Sequence, residues 1–210
     1  MPKRNRGRNP YRQDARTRAA KARGYAARSV FKLEEIDRRV RLLKPTQHVL
    51  DLGAAPGSWT AYAAKKVGSK GRVIAIDLKP LEQAVPAQVV AIEADAYDEA
   101  TFADGPAAEA APYDLVISDM APNTTGDKRT DQIRSFDIFM RAVSLTDRLL
   151  KEGGGFVGKI FMSGDFQRAR DALRERFATV RTIRPEAVRD VSYEVFLVGL
   201  DRKPDAADTG

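Results

Sequence analysis

The sequence predicts an α/β fold, a sheet of mostly parallel strands with helices on both faces. Two features of the residues carry the α/β part of that reading. From residue 47 onward, short apolar runs alternate with amphipathic stretches. The runs are nearly continuous, as in Val49-Leu50, Val73-Ile74-Ala75-Ile76 and Leu115-Val116-Ile117, which is what strands buried on both faces require. A third observation says where chemistry belongs. Acidic residues gather where the runs end, at Asp51, Asp77, Asp95 and Asp119, and open α/β sheets bind ligands beyond the carboxyl ends of their strands.

The elements follow in order. Residues 1–24 hold nine Lys/Arg together with Gly7 and Pro10, and are expected to be a basic flexible arm that orders on a polyanionic partner. A helix follows Ser29, a candidate cap, with Lys32 on its first turn and Phe31, Leu33, Ile36 and Val40 spaced for partial burial. Residues 49–52 read as a strand ending at glycines, 58–67 as a helix, and 72–77 and 89–92 as strands. The Ala-rich stretch 103–112 is expected to be a surface loop. Residues 113–118 form a strand, and 133–150 a helix with Ile133, Phe136, Phe139, Met140 and Val143 on one side, ended by Gly153-Gly154-Gly155. A strand over 156–161, a helix over 166–177, a strand over 179–183 and a last strand over 195–200 complete the sheet. The domain spans 25–201, and 202–210 is expected to be a disordered tail.

Composition narrows the chemistry. A chain of 210 residues with 43% hydrophobic content supports one α/β domain with a full core. Cysteine is absent, which excludes disulfides, thiolate metal sites and the thiol nucleophile of pyrimidine C5 methylation; no metal is expected. The single histidine, His48, precedes an apolar strand and reads as structural, so a Ser-His-Asp triad is disfavoured. No apolar run approaches the roughly 20 residues of a membrane helix and no apolar leader opens the chain, so a cytoplasmic protein without membrane contact is expected. No large apolar interface is legible, and a monomer is expected.

Charge is distributed unevenly. Residues 1–44 carry 15 Lys+Arg against 4 Asp+Glu, whereas the remainder is mildly acidic and the whole chain is +7. A basic extension on an acidic domain fits a polyanion, nucleic acid above all.

Asp51-Leu52-Gly53-Ala54-Ala55-Pro56-Gly57-Ser58-Trp59 lies where the first strand gives way to a helix. Gly53 and Gly57 allow a sharp turn and close approach of backbone to a ligand. The three-glycine dinucleotide spacing is missing, which argues against NAD and for a nucleoside cofactor without phosphates. Asp77 ends the second strand 24 residues after Gly53, where an acid binds ribose hydroxyls. Asp95 follows the third strand, placed to accept from an adenine amino group. Asp119 follows the fourth strand and faces the same crevice. Lys159 sits inside the apolar run Phe156 to Phe161 and Glu194 opens the last one; burying either charge is costly unless it is paired. The economical arrangement brings Lys32, Asp119, Lys159 and Glu194 together.

On Ser29 to Leu33, Asp51 to Trp59, Ser118 to Asn123, Gly158 to Phe161 and Ser192 to Phe196, the chain resembles the FtsJ-like ribosomal RNA 2′-O-ribose methyltransferases that act on 23S rRNA, over residues from about 10 to 201. The resemblance implies a Rossmann-like S-adenosyl-L-methionine (SAM)-dependent methyltransferase fold, a seven-stranded sheet with an antiparallel last strand, and SAM as cofactor. It also implies an arm, residues 1–24, that orders on RNA, with 23S rRNA of the large ribosomal subunit as partner and uridine the expected target. It implies a catalytic tetrad of Lys32, Asp119, Lys159 and Glu194, with Lys159 as proton acceptor. It assigns cofactor contacts to Gly57, Trp59, Asp77, Asp95 and Asp119, to which the glycine turn adds Gly53. A tRNA 2′-O-methyltransferase and a non-catalytic ribosome-assembly factor on the same scaffold remain open. A base-amino methyltransferase is a weaker rival, because Asp119-Met120-Ala121-Pro122 lacks the aromatic that would stack the base.

Overall fold

The computed structural model describes residues 15–186 and 193–204. Helices α1 (Ala15–Ala22) and α2 (Val30–Val40) precede strand β1 (His48–Leu52). Then come α3 (Ser58–Val67), β2 (Arg72–Asp77), β3 (Val89–Glu93), a single 3-10 turn over Glu99–Phe102, α4 (Gly105–Glu109) and β4 (Tyr113–Ser118). The remainder is α5 (Lys128–Leu149), β5 (Leu150–Phe161), α6 (Phe166–Arg176), β6 (Phe177–Ile183) and β7 (Glu194–Arg202).

The seven strands lie in the order β3-β2-β1-β4-β5-β7-β6. The first five in that order are mutually parallel, and β7 runs antiparallel to both β5 and β6. Alternation along each buried strand splits the core in two. Val49, Val73, Ile117, Val157 and Phe196 face α1, α2 and α3, while Leu50, Ile74, Val116, Phe156 and Leu197 face α4, α5 and α6. The chain leaves β1 toward β2 and β3, then returns to place β4 on the other side of β1. That reversal opens a crevice between the carboxyl ends of β1 and β4.

Four local expectations change. Residues 15–22 of the basic arm are helical and bury Ala20; residues 1–14 lie outside the described residues, as do 205–210 of the tail. The Ala-rich stretch is helix α4 with Pro106 in its first turn; Ala107 and Ala110 are buried, and Tyr113 Oη donates to the Ala107 carbonyl at 2.7 Å. Alanine is a strong helix former and its methyl fits a close contact. Helix α5 starts earlier, at Lys128, where the Asp127 carboxylate accepts from Thr130 N at 2.7 Å, an ordinary N-cap. The three glycines do not end it. They lie inside β5, where the register against β4 slips between Tyr113 and Leu115 and Gly153 takes φ +71°, as a bulged strand requires.

Candidate active site

The loops after β1 and β4 touch directly. Asp119 N donates to the Leu52 carbonyl at 3.2 Å. Gly53 has φ +74°, and a Cβ there would lie 2.6 Å from Met120 Cγ and 2.8 Å from Met120 N. Both the left-handed backbone and the close approach demand glycine. After β2, Asp77 accepts from Ala55 N through one carboxylate oxygen and from Lys79 N through the other, each at 2.9 Å. Two amides fix the carboxylate plane and leave lone pairs for a ligand. After β3, Asp95 Oδ1 accepts from Tyr97 N at 2.9 Å.

Gly53, Asp77, Asp95 and Asp119 line one open cleft of about 460 Å³, together with Leu78, Tyr97, Met120 and Ile138. Leu78 is 71% and Tyr97 49% exposed, unusual for large apolar groups unless something covers them. Sequence reasoning missed these side chains, although each stands within two residues of an assigned acid. Apolar walls around a few convergent carboxylates suit a nucleoside: a flat base between the walls and hydroxyls on the acids. The donor set therefore fits a SAM-like cofactor.

Gly57 and Trp59 stand outside that cleft's lining. Gly57 turns the chain into α3 with φ +110°, and its carbonyl accepts from Gln83 Nε2 at 3.1 Å. Trp59 is buried, its Nε1 donates to the Ser29 carbonyl at 2.9 Å, and its ring lies 5.7 Å from that of Phe196. The indole thus braces the start of α2. Ser29 makes no side-chain cap; its backbone carbonyl serves instead. His48 Nδ1 lies 3.0 Å from the Ala110 carbonyl, a structural contact.

Beneath the glycine turn, Asp51 is fully buried on the α3 side of β1. Its Oδ2 accepts from Thr60 Oγ1 at 2.6 Å, and its Oδ1 has no hydrogen-bond partner. Burial pushes the carboxyl up to about 7, the Thr60 bond opposing and nearby Asp119 and Asp77 adding to the rise. A lone ionised carboxylate in a dry interior is costly, so the proton is held.

The four tetrad residues arrive on four elements. Lys32 on α2 pairs with Glu194 at the start of β7; their side chains are 11% and 14% exposed. Lys159 on β5 pairs with Asp119 after β4, at 9% and 17% exposure. Lys159 Nζ donates to the Asp119 carboxylate at 2.9 Å and to the Asp119 carbonyl at 2.6 Å. Across the β5–β7 ladder Lys159 stands opposite Phe196, and Phe161 opposite Glu194, so both charges project from one face. Lys32 Nζ lies 5.9 Å from the Phe196 ring centroid, so Phe196 adjoins Lys32 through its ring and Lys159 through the ladder. Each charge in this half-buried setting meets its opposite, as burial requires.

Solved structures share this fold. A Plasmodium falciparum protein described as a ribosomal RNA methyltransferase superposes with a TM-score of 0.73 at 21% identity, covering 85% of this chain and 98% of its own. Aeropyrum pernix fibrillarin, solved with natively bound SAM, gives 0.58 at 13% identity, covering 76% and 68%. The fold is that of the Rossmann-like methyltransferases. Within that class the chain belongs to the FtsJ-like methyltransferase family, whose profile matches residues 25–202. The ribosomal RNA large subunit methyltransferase E of Sorangium cellulosum is 58% identical over 203 residues, covering 96% of this chain and 94% of that protein. Its counterpart from Bdellovibrio bacteriovorus is 47% identical over 189 residues, covering 89% and 95%. The protein is thus a methyltransferase, and among its described residues no helix is long and apolar enough to cross a membrane.

Proposed function

We propose that this chain transfers the methyl group of SAM to a ribose 2′-hydroxyl of 23S rRNA in the large ribosomal subunit. One observation carries the reading: Asp119 both lines the nucleoside cleft and holds the buried Lys159 amine through two oxygens. A base is thereby anchored at the border of the cofactor site, where an acceptor hydroxyl must stand. The names of the relatives from Sorangium and Bdellovibrio support the RNA and the subunit, and the bound SAM of the fibrillarin neighbour supports the cofactor. A ribosomal substrate puts the work in the cytoplasm.

SAM supplies a methyl group already activated by its sulfonium. The residues of this chain have three tasks. Asp77 would accept from the ribose hydroxyls and Asp95 from the adenine amino group, between the walls of Leu78 and Tyr97. The Lys32–Glu194 and Lys159–Asp119 pairs hold the acceptor hydroxyl in line with the methyl group, a proximity effect. In its neutral form, with both N–H groups donated to Asp119, Lys159 Nζ turns its lone pair toward the 2′-oxygen and takes its proton as the new C–O bond forms. Gly57 and Trp59 lie at the start of α3, whose N-terminal amides would suit the cofactor's carboxylate.

Lys159→Ala is expected to lower turnover on large subunits at least about a hundredfold, within the range of general-base loss, while SAM affinity by calorimetry stays within about threefold. Near-parental turnover would remove Lys159 from the mechanism.

A further inference from the structure

Beside Glu194, at the end of β5, stands a small surface that neither the cofactor cleft nor the tetrad uses. Tyr193 immediately precedes Glu194, and its ring meets that of Phe161 edge to face at 4.9 Å. Lys128, in the first turn of α5, places its ammonium 5.6 Å from the Tyr193 ring centroid. Met162 completes the surface and is 41% exposed. The backbone beneath is well tied: Met162 N donates to the Tyr193 carbonyl at 2.8 Å, Phe161 N donates to Ser135 Oγ at 3.0 Å, and Gln132 Nε2 donates to the Met162 carbonyl. An aromatic ring, an exposed thioether and an exposed ammonium without a carboxylate partner among the described residues are a nucleotide-recognising set. Rings take bases by stacking, and the cation takes phosphate.

We infer that Tyr193 and Met162, with Lys128, seat the base of the acceptor nucleotide. The inference rests on the ribose-methylation reading above. The Tyr193 ring rests on Phe161, which stands opposite Glu194 in the β5–β7 ladder, so a base on Tyr193 holds its ribose next to Glu194 and the tetrad. Lys128 leaves the ring face for the nucleotide's phosphate as the base enters. The larger hollow beside α2, of about 800 Å³, mixes four carboxylates with five Lys/Arg, and none of Lys32, Asp119, Lys159 and Glu194 lines it, so it does not serve the reacting ribose. The occupant of the smaller surface is therefore single-stranded RNA at the reacting nucleotide.

The test is a two-by-two comparison. Parent and Tyr193→Ala enzymes are assayed on large subunits carrying either the intact acceptor nucleotide or an abasic ribose at the mapped position. SAM affinity and melting temperature are followed for both proteins. On intact RNA, Tyr193→Ala should lose roughly tenfold to a hundredfold in kcat/KM, the scale of one base–aromatic stack, with SAM affinity unchanged; Tyr193→Phe should restore most of it. The abasic ribose should cost the parent a similar factor and the variant almost nothing further, because the two changes remove one contact. Equal losses for the variant on both RNAs would overturn the seat, pointing to a structural role or to a ribosomal protein on this surface. No loss on either RNA would overturn it as well. A parent enzyme that labels no RNA would refute the methylation reading itself, and the seat with it.

Discussion

Asp51 sets the sharpest residue-scale prediction, because one of its oxygens is buried without a partner beneath the cofactor turn. Its folded-state pKa, about 7, lies above that of a carboxyl in an unfolded chain, about 3.9. The folded protein therefore binds this proton more tightly, so the stabilisation is full below about pH 4 and is lost as pH rises through about 7. Asp127 and Asp131 are held below the ordinary carboxylate range, first by hydrogen bonds from Thr130 and Thr125 respectively. Their stabilisation is lost only as pH falls below that range, a separate window. Melting temperature should thus decline between pH 5 and 8 in the parent and stay nearly level in Asp51→Asn. The same slope in both proteins would mean that Asp51 is already ionised when folded. Sequence reasoning located Asp51 but not its proton, because neither burial depth nor the Thr60 bond can be read from residue order. Lys159 was more legible: a lysine inside Phe156-Val157-Gly158-Lys159-Ile160-Phe161 announces a partner, and Asp119 supplies it.

At the scale of elements, the placement of α2 decides whether Lys32 reaches Glu194. Leu33 and Ile36 press the helix onto the sheet, and Trp59 fixes its first turn through the Ser29 carbonyl. Trp59→Phe deletes that bond and leaves a small void. It should cost about 1–3 kcal/mol in urea unfolding and lower kcat more than SAM affinity. A rise in the SAM Kd beyond about tenfold with kcat preserved would instead put Trp59 on the cofactor, the role that the family resemblance assigns. Strand positions were read closely because continuous apolar runs leave little choice of register. The misread elements were those whose residues carry two meanings. Alanines at 107 and 110 pack as well in a helix as they solvate in a loop, and Gly153 to Gly155 punctuate a strand bulge as readily as a helix end.

At the scale of the whole molecule, the sheet order brings residues from far apart in sequence to one edge. The pairs Lys32–Glu194 and Lys159–Asp119 come to one face because β4, β5 and β7 are neighbours in the sheet, β7 inserted between β5 and β6, and α2 packs on that face. Alternation of strands and helices made the fold class legible, but the antiparallel β7 came from the resemblance alone, since strand direction leaves no mark on composition. The basic N-terminal quarter and the mildly acidic remainder suit the proposed pairing of RNA phosphates with a cationic cofactor. The central claim is the atom that receives the methyl group. The most direct measurement incubates the protein with methyl-labelled SAM and unmodified large ribosomal subunits, with tRNA in parallel, and hydrolyses the RNA in alkali, which does not cut beside a 2′-O-methylated ribose. Label in alkali-resistant dinucleotides from the subunits is the predicted result; label in mononucleotides would contradict the claim by placing the methyl group on a base.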